Sequence, residues 1–493
     1  MKFLKSNWVQ VPWWSLKKVY RITIVILIGG FFIGLIAFYL YMSSLPTLST
    51  WHTTLLKNEY TSHSKVKNID AYIALEEKLF TQLQTEVYDK TLPSEQNRIN
   101  RYSKEGLSNP KLWKQNWNKS FELKVKHPKA GILLLHGMSD SPYSLHTQAQ
   151  YLHKEGYWVL ALRLPGHGTV PSGLRNIKWE DMASVVQMGM KHLEKKVAAK
   201  PIHIMGYSTG ASLALHYTLK ALEEKSTLRV PEKLIFYSPA IGVSAAAPFA
   251  VWQSRIGYML NLPKLEWNAL LPEFDPFKYG SFAVNAGDQV YRLAKEVQTQ
   301  FDALEKDPNH KPFPPVLSFS SIVDSTVSVP AVVHKLFNRL PKSIEGKHSL
   351  VLFDINHNFS RNYLIKDAKM TEMQSLRDTP VKKNYNFELI TNLHTKDRTV
   401  ECIVNHEAEQ PLPYKWSKGL YSLSHLAMPI SPNDPLYGNE NAPKSPGIDL
   451  GHLAIYGETG LLQTSASSLL RQRWNPFHDY TKVRVLEFIT GEE

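Results

Sequence analysis

Cysteine is almost missing from this chain. Cys402 is the lone thiol in 493 residues, so no disulfide can close within the chain and a disulfide-stapled scaffold is excluded. No HExxH motif and no cluster of cysteines and histidines occurs, so no metal and no other cofactor is expected. Stripes of basic residues interleaved with aromatics are also lacking, and with them the footprint of a nucleic-acid binder. Neither an internal repeat nor a low-complexity tract is found, which sets aside solenoids and disordered linkers. With 43% hydrophobic and 20% charged residues, the composition is that of a globular protein. Its length suits one large α/β domain with insertions, or two or three ordinary domains.

Charge is unevenly placed. The net balance is +13, and the first 21 residues supply five cations (Lys2, Lys5, Lys17, Lys18, Arg21) and no acid. Such a bias suits an anionic membrane surface, although a generally basic, solvated surface gives the same count. The run "ITIVILIGGFFIGLIAFYLYM", Ile22 to Met42, then carries no charge over 21 residues. At about 1.5 Å per residue it spans roughly 31 Å, enough for a bilayer core. It exceeds the roughly 7–15 residues of a signal-peptide apolar region, and "YMSSLPTLS" offers no small-x-small cleavage site. The reading is a retained single-pass anchor. Lys/Arg bias puts the N-terminus in the cytoplasm and everything after Met42 on the outer side of the membrane. Trp13, Trp14 and Tyr20 on one side, with Tyr39, Tyr41 and Trp51 on the other, suit interfacial belts.

Six segments follow from the texture of the chain. Residues 1–21 form a basic tail and 22–42 the anchor. Residues 43–128 make a juxtamembrane spacer containing one amphipathic helix, with Ile69, Tyr72, Ile73, Phe80, Leu83 and Val87 on one face. From residue 129 to 242, apolar runs of strand length alternate with helical patterns, which implies a mostly parallel sheet with helices on both faces. Residues 243–313 break that rhythm with Trp252, Tyr258, Met259, Trp267, Phe274 and Phe277, and read as a helical cap. Strand character resumes over 314–493, where "YNFELITN" and "TVECIVNH" suggest an inserted hairpin.

One serine stands between two glycines where a strand gives way to a helix: Gly206-Tyr207-Ser208-Thr209-Gly210. Alone, G-x-S-x-G is a weak motif. Its strand–turn–helix setting makes it a nucleophile elbow, in which side chains at the two glycine positions would clash and the helix N-terminus favours developing negative charge. An α/β-hydrolase fold is the expectation. A second oxyanion donor is needed beside the Thr209 N–H, and Met138, after the strand Ile132–Leu135, is placed to give one. His136 reads as a loop residue.

A serine hydroxyl needs a base and an orienting acid. Asp324 ends the late strand in "PVLSFSSIVDSTV"; the plainer alternative is an aspartate capping the following helix. Two histidines compete for the base. His357 directly follows the next strand, while His425 lies in the later Pro/Ser/Gly-rich loop "GLYSLSHLAMPISPNDPLYG". Position alone favours His357.

Together "HGMSDSPYSL", "LRLPGHGTVPSGL", "GYSTG", "YSLSHLAMPISPNDPLYG" and "LLRQRWNPFHDY" resemble a bacterial group of membrane-anchored α/β-hydrolases. That group is related to the serine aminopeptidase S33, monoacylglycerol lipase and lysophospholipase-like branch. The resemblance covers roughly residues 129–242 and 314–485. It implies Ser208 as nucleophile, Asp324 as acid and His425, in the "SH-x-A-x-P" loop, as base. Ala211 departs from the further glycine usual after the elbow. His167 in "LPGHGT" reads as loop-shaping. The expected activity is serine-dependent cleavage of carboxylic esters, lipid-like ones such as a monoacylglycerol or lysophospholipid suiting an apolar cap beside a membrane. An S33-type aminopeptidase is the enzymatic rival and would need a carboxylate pair for the substrate amine, for which Glu266, Glu273 and Asp275 are available. A non-catalytic envelope scaffold is the third reading.

Overall fold

The strands that position the site owe their form to short, near-continuous apolar runs, "GILLL", "WVLAL", "IHIMGY" and "KLIFY", each buried along almost its whole length. A computed structural model of the protein describes residues 13–242, 262–341, 348–359, 367–378, 384–395, 397–406, 408–451, 453 and 470–492. The first twelve residues of the basic tail, and residues 243–261 of the expected cap with Trp252, Tyr258 and Met259, lie outside the described residues. The chain divides into two compact units, one ending at Leu48 and one running from Ser49 to Glu493.

The first unit is a helix from Trp13 to Ser44. Its stretch Tyr20–Ser44 is long and apolar enough to cross a membrane. The helix starts nine residues before the uncharged run at Ile22, because Lys17, Lys18 and Arg21 are good helix formers.

The second unit is built on a ten-stranded sheet. In chain order its strands are β1 (Phe121–Leu123), β2 (Gly131–Leu135), β3 (Trp158–Leu162), β4 (Ile202–Tyr207) and β5 (Lys233–Tyr237). After a small separate pair, β6 (Trp267–Ala269) with β7 (Phe282–Ala283), come β8 (Val316–Ser321), β9 (His348–Phe353), β10 (Tyr385–Thr391), β11 (Thr399–Val404) and β12 (Ala408–Lys415). The spatial order is β1-β3-β2-β4-β5-β8-β9-β10-β11-β12. Neighbours from β3 through β10 pair in parallel, while β1, β11 and β12 join antiparallel.

Side-chain alternation divides the core between two faces. Ile132, Leu134, Val159 and Ala161 pack with Ala149 and Leu152 of the helix His146–Lys154 and with Val485 and Phe488 of the helix His478–Thr490. On the other face a Cβ added to Gly189, in the helix Trp179–Val197, would meet Leu162 Cδ1 at 2.8 Å and Leu133 Cδ1 at 3.0 Å. Where the sequence suggests an added hairpin, the chain forms a three-stranded run. β10 continues the parallel sheet on β9, and β11 and β12 extend it.

Residues 49–128 are built into the second unit. The helix Ile69–Leu83 presents Glu76 beside the buried Arg163, which follows β3; Arg163 Nε lies 2.9 Å from Glu76 Oε1 and its NH2 2.9 Å from Glu59 Oε1. Trp51 is here too. Assigned by sequence to a membrane interface, it is 6% exposed and stacks on Tyr102 at 5.0 Å between ring centres. The indole packs in a hydrophobic cluster with Val87, Tyr88 and Tyr102.

Candidate active site

β3 and β4 lie on opposite sides of β2, so the strand order reverses there and a crevice opens outside the carboxyl ends of β2 and β4. Ser208 follows β4 and is the residue before the helix Thr209–Leu222, with φ 54° and ψ −116°. That conformation costs a non-glycine residue about 1–3 kcal/mol and turns the side chain away from the strand. The glycines make the turn possible. A Cβ at Gly206 would sit 2.5 Å from Ala211 N, and one at Gly210 would sit 2.1 Å from Leu135 O. Backbone bonds hold the bend: Ser208 N–H donates to Tyr237 O at 2.9 Å, and Ala211 N–H to Ser208 O at 3.1 Å.

His425 meets Asp324. Its Nδ1 lies 2.8 Å from Asp324 Oδ2, and both side chains are buried. The other oxygen of the carboxylate accepts the N–H groups of Thr326 at 2.8 Å and Val327 at 3.1 Å, which fixes its direction. Asp324 does not cap the following helix; Ser328 does, accepting from Ala331 N–H. Burial pushes the Asp324 carboxyl up, but the His425 imidazole and these hydrogen bonds outweigh it and hold the group below its ordinary value. Ser321 Oγ donates to Leu423 O at 2.9 Å, joining the end of β8 to the histidine loop.

Tyr207 links the pair to the elbow. Its hydroxyl donates to His425 O at 3.3 Å, and the two rings lie 5.2 Å apart. Among the described residues, none hydrogen-bonds the Ser208 hydroxyl, and none accepts from the Met138 or Thr209 N–H. Those two N–H groups stand at the ends of β2 and β4, which are hydrogen-bonded neighbours.

His357 is engaged elsewhere. Its Nε2 lies 2.8 Å from Asp354 Oδ2, and the same carboxylate receives Arg377 at 2.8 and 3.0 Å and the Thr391 hydroxyl at 2.9 Å. His136 Nε2 accepts the Leu164 N–H at 3.0 Å, and its Nδ1 lies 2.8 Å from Gly137 O. His167 is fully buried and is bound through Nδ1 to Pro165 O at 2.9 Å. The three carboxylates named for an amine are each committed: Glu266 to Arg175, Glu273 to the Gly280 and Ser281 N–H groups, and Asp275 to the Phe277 and Lys278 N–H groups and the Tyr437 hydroxyl.

A small cleft opens beside this constellation. Asp140, Tyr207, Lys278, Leu426, Tyr437 and Arg473 line it. A Cβ at Gly137 would lie 3.0 Å from Asp140 Oδ2 and 3.1 Å from Ser208 Cβ, so the cleft carboxylate and the serine flank one glycine. Lys278 Nζ bridges Asp140 Oδ2 at 2.9 Å and Ser139 Oγ at 3.1 Å. Sequence reasoning passed over Asp140, Lys278 and Arg473. Two of them stand in motifs that carry the resemblance, "HGMSDSP" and "RQRWNPF", but a charged residue in a motif does not disclose which way it points.

Residues 126–348 match the family model for the serine aminopeptidase S33 family. The second unit has an α/β-hydrolase fold, and this part of it is similar to that family. A thermostable monoacylglycerol lipase from Bacillus sp. (strain H-257) is 33% identical over 86 residues, 17% of this chain and 34% of that enzyme. The match to this curated relative therefore spans about a third of its length. Among solved structures, a monoglyceride lipase from Saccharomyces cerevisiae is 17% identical, covering 48% of this chain and 82% of that one with a TM-score of 0.37. The monoacylglycerol lipase of Paleococcus ferrophilus is 17% identical, covering 48% and 89%, with a TM-score of 0.36.

Proposed function

We propose that the protein is a membrane-anchored serine hydrolase of carboxylic esters, with Ser208 as nucleophile, His425 as general base and Asp324 as its orienting carboxylate. The observation that carries this reading is the buried Asp324–His425 pair, 2.8 Å apart and held against Tyr207, the neighbour of the serine in the elbow. With His425 Nδ1–H donating to Asp324, Nε2 carries the free lone pair. In this mechanism that nitrogen takes the Ser208 proton as Oγ attacks the carbonyl carbon. The carbonyl oxygen becomes an oxyanion between the Met138 and Thr209 N–H groups. Collapse of the tetrahedral adduct expels the alcohol, which leaves with the proton from His425. Water then attacks the acyl-enzyme, again giving its proton to His425, and Ser208 is restored.

The apolar helix Tyr20–Ser44 supports anchoring, and the preceding Lys17, Lys18 and Arg21 favour a cytoplasmic N-terminus with the hydrolase unit on the outer side. A lipid-like ester such as a monoacylglycerol or lysophospholipid suits an enzyme tethered there, and the Bacillus relative is a monoacylglycerol lipase. Because Glu266, Glu273 and Asp275 all have partners, an ester is favoured over a peptide amine as the group recognised. The test is release of 4-nitrophenol from 4-nitrophenyl butyrate by the full chain in neutral detergent, beside an aminoacyl anilide. Hydrolysis lost in Ser208→Ala and His425→Ala is expected; anilide cleavage without ester cleavage, or full activity of either variant, overturns the reading.

A further inference from the structure

The cleft beside Ser208 carries a cation with no close anionic partner among the described residues. Arg473 is 8% exposed, and its Nε is buried with no hydrogen-bond acceptor among the described residues. The nearest carboxylate oxygen, Asp275 Oδ2, stands 4.0 Å from NH1 and already accepts the Tyr437 hydroxyl at 2.7 Å. The other oxygen of Asp275 is held by the Phe277 and Lys278 N–H groups at 2.9 and 3.0 Å, so the carboxylate cannot swing to face the guanidinium. Two other buried arginines have close carboxylates: Arg163 has Glu59 and Glu76 at 2.9 Å, and Arg377 has Asp354 at 2.8 Å. Arg101, with an equally unpartnered Nε, has none among the described residues, but its two NH groups reach Lys278 O at 3.4 Å and Asn118 Oδ1 at 3.3 Å. A guanidinium taken out of water without such a fork is costly, and the planar fork is shaped for a carboxylate or phosphate.

Arg473 is also held in place. Phe274 and Tyr437 lie beside its guanidinium at 5.8 and 6.0 Å. The segment bearing it is stapled to the histidine loop: Ser424 Oγ donates to Gln472 O, Asn475 N–H to Ile430 O at 2.9 Å, and Asn475 Nδ2 to Met428 O at 3.1 Å. Lys278, which also lines the cleft, is neutralised by Asp140 at 2.9 Å, whereas Arg473 has no carboxylate closer than 4.0 Å among the described residues.

We propose that this cleft receives an acidic group of the ester substrate, a carboxylate or a phosphate, on Arg473. The inference rests on the ester-hydrolase reading above and names the class of ester. Two matched pairs test it with the full chain in neutral detergent: 4-nitrophenyl valerate against mono(4-nitrophenyl) glutarate, and 1-valerylglycerol against its 3-phosphate. At least one acidic member is expected to exceed its neutral partner by about tenfold or more in kcat/KM, chiefly through KM. The glutarate pair reports a carboxylate on the acyl side, and the glycerol pair a phosphate on the alcohol side. In Arg473→Gln that ratio falls to within about twofold, and Arg473→Lys recovers part of it. No preference in either pair, or a ratio unchanged in Arg473→Gln, overturns the proposal. If no ester is hydrolysed faster than by Ser208→Ala, the hydrolase reading fails by itself. The cleft is then judged by thermal shift with glutarate and with inorganic phosphate, against chloride at equal ionic strength. A rise in Tm with either anion in the parent and not in Arg473→Gln upholds the site, and no rise overturns it.

Discussion

His425 Nδ1 and Asp324 Oδ2 stand 2.8 Å apart although 101 positions separate the residues in the chain. The carboxylate is aimed by two backbone N–H groups and the imidazole by the Tyr207 ring, so the pair is oriented before any substrate arrives. Asp324→Asn should keep the packing but reverse the hydrogen-bond polarity at Nδ1, favouring the wrong tautomer. The expected outcome is a fall in kcat of about 10³–10⁴-fold with KM nearly unchanged and Tm within a few degrees, read by initial rates on 4-nitrophenyl butyrate.

The second histidine–aspartate pair should behave in the opposite way. Asp354 is completely buried and joins His357, Arg377 and Thr391. Asp354→Ala leaves these three partners without it in the interior, and should cost about 3–5 kcal/mol of stability in urea unfolding. Hydrolysis per folded molecule at 20 °C should stay near that of the parent. A loss of kcat matching that of Asp324→Asn, without loss of stability, would move the base assignment to His357.

Acid should destabilise the fold well above the carboxylate range. Burial, with Lys233 adding to it, lowers His203 from 6.5 to about 3, and burial lowers His167 to about 4. Both are neutral in the folded chain, while the unfolded chain binds protons below about pH 6.5. Their contribution is therefore complete above that pH and is lost as the pH falls toward 4 and then 3, at about 1.4 kcal/mol per pH unit for each fully responding histidine. The urea midpoint should drop between pH 7 and pH 5. His203→Leu, which removes a buried imidazole whose Nδ1 has no partner among the described residues, should flatten that drop; an equal slope in parent and variant would contradict this.

Gly210 is the tightest point of the elbow. Its added Cβ would stand 2.1 Å from Leu135 O and 2.8 Å from His136 O, backbone atoms that belong to the loop bearing Met138. Gly210→Ala should abolish ester hydrolysis and lower the Tm by several degrees, because relief requires moving the helix or that loop. Thermal melting beside initial rates distinguishes this from a purely local effect at Ser208.

Much of the fold was legible because its signals are local. Near-continuous apolar runs gave β2 to β5, and G-x-S-x-G in a strand–turn–helix setting gave the bend that the dihedrals of Ser208 now display. Which histidine faces Asp324 was not legible from position. The parallel strand β10 and the antiparallel β11 and β12 intervene between β9 and His425, so chain order and spatial order diverge there. The cleft escaped notice for a related reason. Asp140, Lys278 and Arg473 come from three distant segments, and only tertiary contact reveals that two of the charges cancel while the third does not. Trp51 was misassigned because an aromatic near an apolar run has the same appearance at a bilayer surface as in a protein core.

The staple between Ser424 and Gln472 has an evolutionary and engineering consequence. Since the side chain at 473 and the imidazole at 425 ride on one fastened pair of loops, selecting a new head-group preference by rebuilding that segment also retunes proton transfer. Variants that broaden the range of accepted esters should therefore arise more readily at Lys278, which belongs to a separate segment, than anywhere along residues 472–475.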